Sequence, residues 1–160
     1  MVRTVIARTH VDEDANSATS RTRGTGRCST RSAARRALET AVTASLTVPH
    51  EAKAEGLRWT RGLLRASAED PALRAVWYRV NQESEDKLIP LVARLAGDDA
   101  DPLEIRLAAA AATDAIRVAL ETWAESDADV EGPGSPAELA VRCLRELTGG
   151  MRLLAEPRKS

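Results

Sequence analysis

The side chains able to do acid–base, metal or nucleophilic chemistry are few in this chain, and their spacing argues against a catalytic centre. The two histidines are His10, in a polar N-terminal stretch, and His50, at the start of a helical segment, so neither an HExxH pair nor a histidine-based metal cluster can be assembled. Cys28 and Cys143 stand far apart without CxxC spacing, which suits a reduced, cytoplasmic chain. The GxSxG, GxGxxG and GxxxxGK patterns are missing. The acid pairs Glu69-Asp70 and Asp98-Asp99 flank helix ends, where carboxylates complement the helix dipole. No enzymatic activity, metal or cofactor is expected.

What chemistry remains is binding. Asn81 and Asp114 interrupt otherwise apolar helical faces, and a buried polar group demands a partner. That partner is either internal, such as Arg117 for Asp114 and a backbone carbonyl for Asn81, or a ligand. With the apolar Trp59, Leu63, Trp77, Leu107 and Ala111 they make the candidate ligand-binding set. The arginines of residues 1–31 could neutralise phosphates, but no aromatic residue interleaves them to stack on bases.

These residues must be held by helices. The chain is 43% hydrophobic yet has no Phe, one Tyr and three Trp, so its core is built of Leu, Val, Ile and Ala, a composition that favours helix over strand. No apolar run reaches the ~18 residues a membrane span requires. The net charge of −1 divides unevenly: residues 1–36 carry eight Arg against Asp12, Glu13 and Asp14, whereas the remainder is acidic and a poor partner for nucleic acid. Residues 1–31, rich in Ser, Thr, Arg and Gly, bury too little to offset chain entropy and read as a disordered basic tail. Residues 32–155 read as one helical domain.

Five helices are expected, over 32–47, 50–68, 71–96, 102–124 and from 136 onward. The first carries the stripe Ala34, Leu38, Val42, Leu46. Gly56 and Gly62 weaken the second. Asp70-Pro71 starts the third, Pro90 should kink it, and Gly97 stops it. Asp101-Pro102-Leu103-Glu104 and Ser135-Pro136-Ala137-Glu138 have capping-box spacing, with a Gly/Pro-containing loop between the helices they start. The segment from Asp101 to Glu125 is apolar on two faces, one carrying Ile105, Ala109, Ala112, Ile116, Ala119 and Trp123, the other Leu103, Leu107, Ala110, Ala111 and Val118. Four other helices are too few to cover both. The first face, with Leu139, Cys143 and Leu147 of the last helix, is therefore the expected dimer interface, an isologous four-helix arrangement; the alternative is that both helices are simply central in a monomeric bundle.

The stretches LLRASAEDPALRAVWYRV, LIPLVARLAG and DDADPLEIRLAAAAATDAIRVALETW resemble the C-terminal domain of TetR-family transcriptional regulators from high-GC bacteria, closest to the subgroup described as binding acyl-CoA-like ligands. The resemblance spans roughly residues 36–155. It implies an all-α five-helix bundle that homodimerises through its last two helices and holds a small apolar or acyl-type ligand. It also implies DNA contact through an N-terminal helix-turn-helix, and residues 1–31 have neither the apolar core nor the turn of such a unit. The expected function is a TetR-type regulator fragment for effector binding and homodimerisation. The alternative is a helical adaptor that binds a partner protein.

Overall fold

The structure, a computed structural model, describes residues 26–48, 51–97 and 99–149, with side chains from Arg35 onward. Its helices are α1 (Gly26–Leu46), α2 (Glu51–Glu69), α3 (Pro71–Ala96), α4 (Pro102–Glu125) and α5 (Pro136–Gly149), and among the described residues there is no strand.

Their ends follow local chemistry. The Asp70 carboxylate accepts from the backbone N–H groups of Ala72 (2.8 Å) and Leu73 (3.3 Å), two donors with no partner inside the helix. Gly97 closes α3 at φ +84°, a conformation that glycine reaches without the steric cost a Cβ adds. Asp101 caps α4 by accepting from Leu103 N–H at 2.9 Å, one residue earlier than the capping-box pattern. At α5 the box closes more fully: Glu138 N–H donates to Ser135 Oγ, while the Glu138 carboxylate reaches back to Gly134 N–H. Pro90 lies inside α3, which is helical on both sides of it.

One boundary differs from expectation. Helix α1 starts at Gly26, six residues inside the segment expected as a tail. Once the packed turns from Leu38 onward nucleate the helix, each residue added upstream gains a backbone hydrogen bond without a second nucleation cost, and residues 26–31 contain no proline to break it. Residues 1–25 and 150–155, the other parts of the expected tail and domain ends, lie outside the described residues.

The core is organised around α4, which packs most extensively on α5, then on α3, and touches α2 and α1 as well. Leu38, Val42 and Leu46 of α1, Leu57 and Leu64 of α2, Val92 of α3, and Ala140 and Leu144 of α5 converge on the buried face of α4. That face is Ala109, Ala112, Ala115 and Ala119, small enough for close helix approach, followed by Leu120 and Trp123. Trp123 is fully enclosed, and its Nε1–H donates to the carbonyls of Ala128 and Asp129, both at 3.0 Å. The one large ring in this core thereby also folds the loop after α4 back onto its own helix.

Helix α2 is less tightly held. Gly56 and Gly62 have open space where a Cβ would stand. Gly62→Ala should therefore raise stability by up to about 1 kcal/mol through helix propensity and reduced unfolded-state freedom. Thermal or urea unfolding followed by circular dichroism checks this, and a lowered midpoint would contradict the open surroundings.

Candidate binding surfaces

The seven candidate ligand residues do not line one enclosed cavity. On α2, Trp59 is 57% exposed and Leu63 also opens to solvent. Leu107 of α4 is 60% exposed, on the side of α4 opposite its buried alanines. Trp77, Asn81 and Ala111 are half-buried, and Asp114 is exposed.

The polar members are satisfied within the protein. Trp77 Nε1–H donates to Glu121 Oε1 at 2.7 Å, joining α3 to α4. Arg117 Nη1 donates to Glu121 Oε2 at 2.9 Å, and Arg117 Nε to Asp114 Oδ1 at 3.0 Å, so one guanidinium gathers two carboxylates of α4. Burial opposes the Arg117 charge, but the hydrogen bond to Asp114 and the charge of Glu121 outweigh it and move the pKa above the ordinary arginine value. The guanidinium also sits 6.0 Å from the Tyr78 ring centroid. Asn81 Nδ2 donates to the Trp77 carbonyl at 2.8 Å, one turn back on its own helix. Of the two alternatives left open by the sequence, the internal partner is realised for both Asn81 and Asp114.

The expected dimer face needs a correction. Ala109, Ala112, Ala119 and Trp123 have no exposed surface in the single chain, and Ile105 and Ile116 are half-buried against the same core. A side chain already enclosed by its own chain has nothing to offer a second copy. The other apolar face of α4 is the outward one: Leu103 is 62% exposed, Leu107 and, three turns further on, Val118 are exposed on the same face, and Ala110 and Ala111 lie along it. On α5, Leu139 and Cys143 are half-buried and Leu147 is exposed. Burial pushes the Cys143 thiol above its usual pKa, so it is a poor nucleophile.

Periodicity shows that α4 has two apolar faces. It does not rank them, because each repeats at the helical period. Packing decides: the alanine face lets α5 come close and encloses Trp123, whereas Leu103 and Leu107 project too far to fit under the same approach.

A further surface was not anticipated, an open groove of about 480 Å³ between α1 and α5, floored by Thr43, Ala137 and Val141 and edged by Glu138, Arg142 and Arg145. Arg145 is not free there, since it donates to Glu39 Oε2 at 3.0 and 3.2 Å through two nitrogens. Also missed were Arg61 and Arg65 of α2, which reach the C-terminal end of α4. Their spacing of four, one face of a helix, was the available signal. Among the described residues, no group of three or more His, Cys, Asp or Glu is placed to hold a metal ion, and no helix is long and apolar enough to cross a membrane.

Comparison with known proteins agrees with this architecture. Residues 32–152 match the family described as the MftR C-terminal domain, a TetR-type C-terminal domain. The chain belongs to that family, and its all-α fold is the fold of a TetR C-terminal domain. No curated protein matches the chain.

The two faces of α4 are separable by mutation. Ala112→Arg should destroy the fold of the single chain rather than merely alter association, because an unpaired guanidinium would enter the closed core at a cost of several kcal/mol. Leu107→Glu should leave the chain folded, with its helicity nearly unchanged. Circular dichroism melts of the two variants test the assignment, and a stably folded Ala112→Arg protein would reject it.

Proposed function

We propose that this chain is the effector-binding and homodimerisation domain of a TetR-type transcriptional regulator, and that it does no catalysis. The observation that carries the dimer is the outward face of α4. Leu103, Leu107 and Val118 form an exposed apolar stripe on the most central helix of a TetR-type C-terminal domain. In this proposal a second copy covers the stripe, with Leu139, Cys143 and Leu147 of α5 at its margin, in an isologous arrangement. Asp114 sits in the stripe but brings its own counterion, Arg117, so covering it does not strand a bare charge.

Effector binding is assigned to α2 and α3. Trp59 and Leu63 are followed around the Asp70 turn by Leu73 and Val76, which are also exposed. An acyl chain is the class of ligand this apolar lining suits, with the half-buried Trp77 and Asn81 beside it. Leu107, Ala111 and Asp114 pass from the ligand set to the dimer face. DNA recognition, in this reading, belongs to a helix-turn-helix and not to the acidic helical body. The exposure of Trp59, instead of its enclosure, favours a second reading in which the same surface docks a partner protein, as in a helical adaptor.

Sedimentation equilibrium at micromolar concentration should give a dimer, and Leu107→Glu a folded monomer. A monomeric wild-type chain would overturn the interface. A long-chain acyl-CoA should change tryptophan emission in the wild type, and that response should be lost in Leu63→Glu. Emission that no acyl-CoA alters would leave the adaptor reading in possession of the α2–α3 surface.

A further inference from the structure

The C-terminal end of α4 is capped by a different helix. Arg61 lies over the Trp123 ring, 3.7 Å from guanidinium carbon to centroid, and its Nη2 donates to the carbonyls of Trp123 (3.4 Å) and Ala128. One turn along α2, Arg65 Nε donates to the Ala124 carbonyl at 2.6 Å and Nη2 to the Ser126 carbonyl at 3.1 Å, with Asp127 at 3.9 Å. These carbonyls lie at and beyond the last turn of α4, where helical partners run out and the helix dipole is negative. Ser126 caps the Trp123 carbonyl from within the chain's own turn, and the two cations fixed on α2 supply further donors to Trp123, Ala124, Ser126 and Ala128.

The same contacts are a large part of what holds α2. Its buried side chains are Ala54, Leu57, Leu64 and Ser67, of which only the two leucines are large, and its other large apolar groups point to solvent. The far side of the contact leads straight to α5. Trp123 Nε1 gathers the Ala128 and Asp129 carbonyls, Val130 is buried, and Gly134 and Ser135 are tied to Glu138 in the first turn of α5.

We propose that Arg61 and Arg65 form a latch that makes α2 and the loop between α4 and α5 open and close as one unit. The latch rests on its own geometry. Its use rests on the effector reading above: a ligand that displaces α2 would be felt at the start of α5, on the dimer side of the molecule. Arg61 is the weaker half, because its Nε is buried without a hydrogen-bond partner. Burial, and then the neighbouring charge of Arg65, also hold its pKa below the ordinary arginine value.

Native-state hydrogen exchange on the full chain, without ligand and over rising urea, tests this directly. Amides of α2 and of residues 127–131 should converge on one opening isotherm with a common slope. Loop amides that open on a separate, shallower isotherm overturn the latch. Arg65→Lys keeps the charge but loses the paired donors, and should speed exchange by roughly tenfold in both α2 and the loop while α1 is unchanged. Acceleration of one region alone, or of neither, also overturns it. If that variant does not fold, the wild-type isotherms still decide. Because no effector is added, a failed acyl-CoA titration with merged isotherms counts against the effector reading and not against the latch.

Discussion

Removal of one face of α4 from water is the constraint on which the other contacts depend. Four alanines and Trp123 have no exposed surface, and side chains from all four remaining helices meet there. Small residues at the point of closest approach give short interhelical distances, and the tryptophan fills the wider space at the C-terminal end. Because alanine has no side-chain rotamers to lose, burying these side chains adds no entropic penalty beyond that of the backbone. The cost appears elsewhere: a helix committed so fully to its own core leaves the large residues of its other face uncovered.

The polar groups on and around α4 follow from that arrangement. Arg117 cannot reach open water freely, and it binds Asp114 and Glu121, the second of which also takes the Trp77 indole hydrogen. The network sets the position of α3 along α4 by directional bonds, where α3 contributes only Val92 to the fully buried core. At the other end of α4, Arg61 and Arg65 do the same for α2. Helix α2 is thus tied to α4 by two arginines, and α3 by the Trp77–Glu121 hydrogen bond together with the packing of Leu88, Ile89 and Val92, while other apolar residues of both helices remain at the surface.

That surplus of exposed apolar surface is the physical link between fold and proposed role. Trp59, Leu63, Leu73 and Val76 on α2 and α3, and Leu103, Leu107 and Val118 on α4, are more than a solitary chain needs for its own core. In the proposed role, a domain that both associates with itself and takes an apolar ligand has two such surfaces to cover, and the two assigned above lie on different helices. The α4–α5 loop is held by α2 on one side and by the α5 cap on the other.

Much of this was legible in the residues. Asp70, Asp101 and Ser135 announce helix starts through chemistry that involves only their neighbours, and Gly97 announces a stop in the same way. The stripe Leu38, Val42, Leu46 identifies a buried face because a helix has one period. The membership of residues 32–152 in a TetR-type family agrees with the resemblance carried by the helix and cap pattern. Tertiary structure alone decided which apolar face of α4 is inside, because both faces share the period and only the volume available beneath α5 distinguishes alanine from leucine. The partners of Asp114 and Asn81, Arg117 and the Trp77 carbonyl, lie three and four residues away on their own helices and were among the alternatives the sequence offered. Tertiary structure also decided that two arginines four residues apart, unremarkable on a helix wheel, reach carbonyls about sixty residues away. Local sequence sets the ends and faces of helices through bonds a few residues long; which faces meet is set by the shapes of side chains distant in sequence, and no local pattern contains that information.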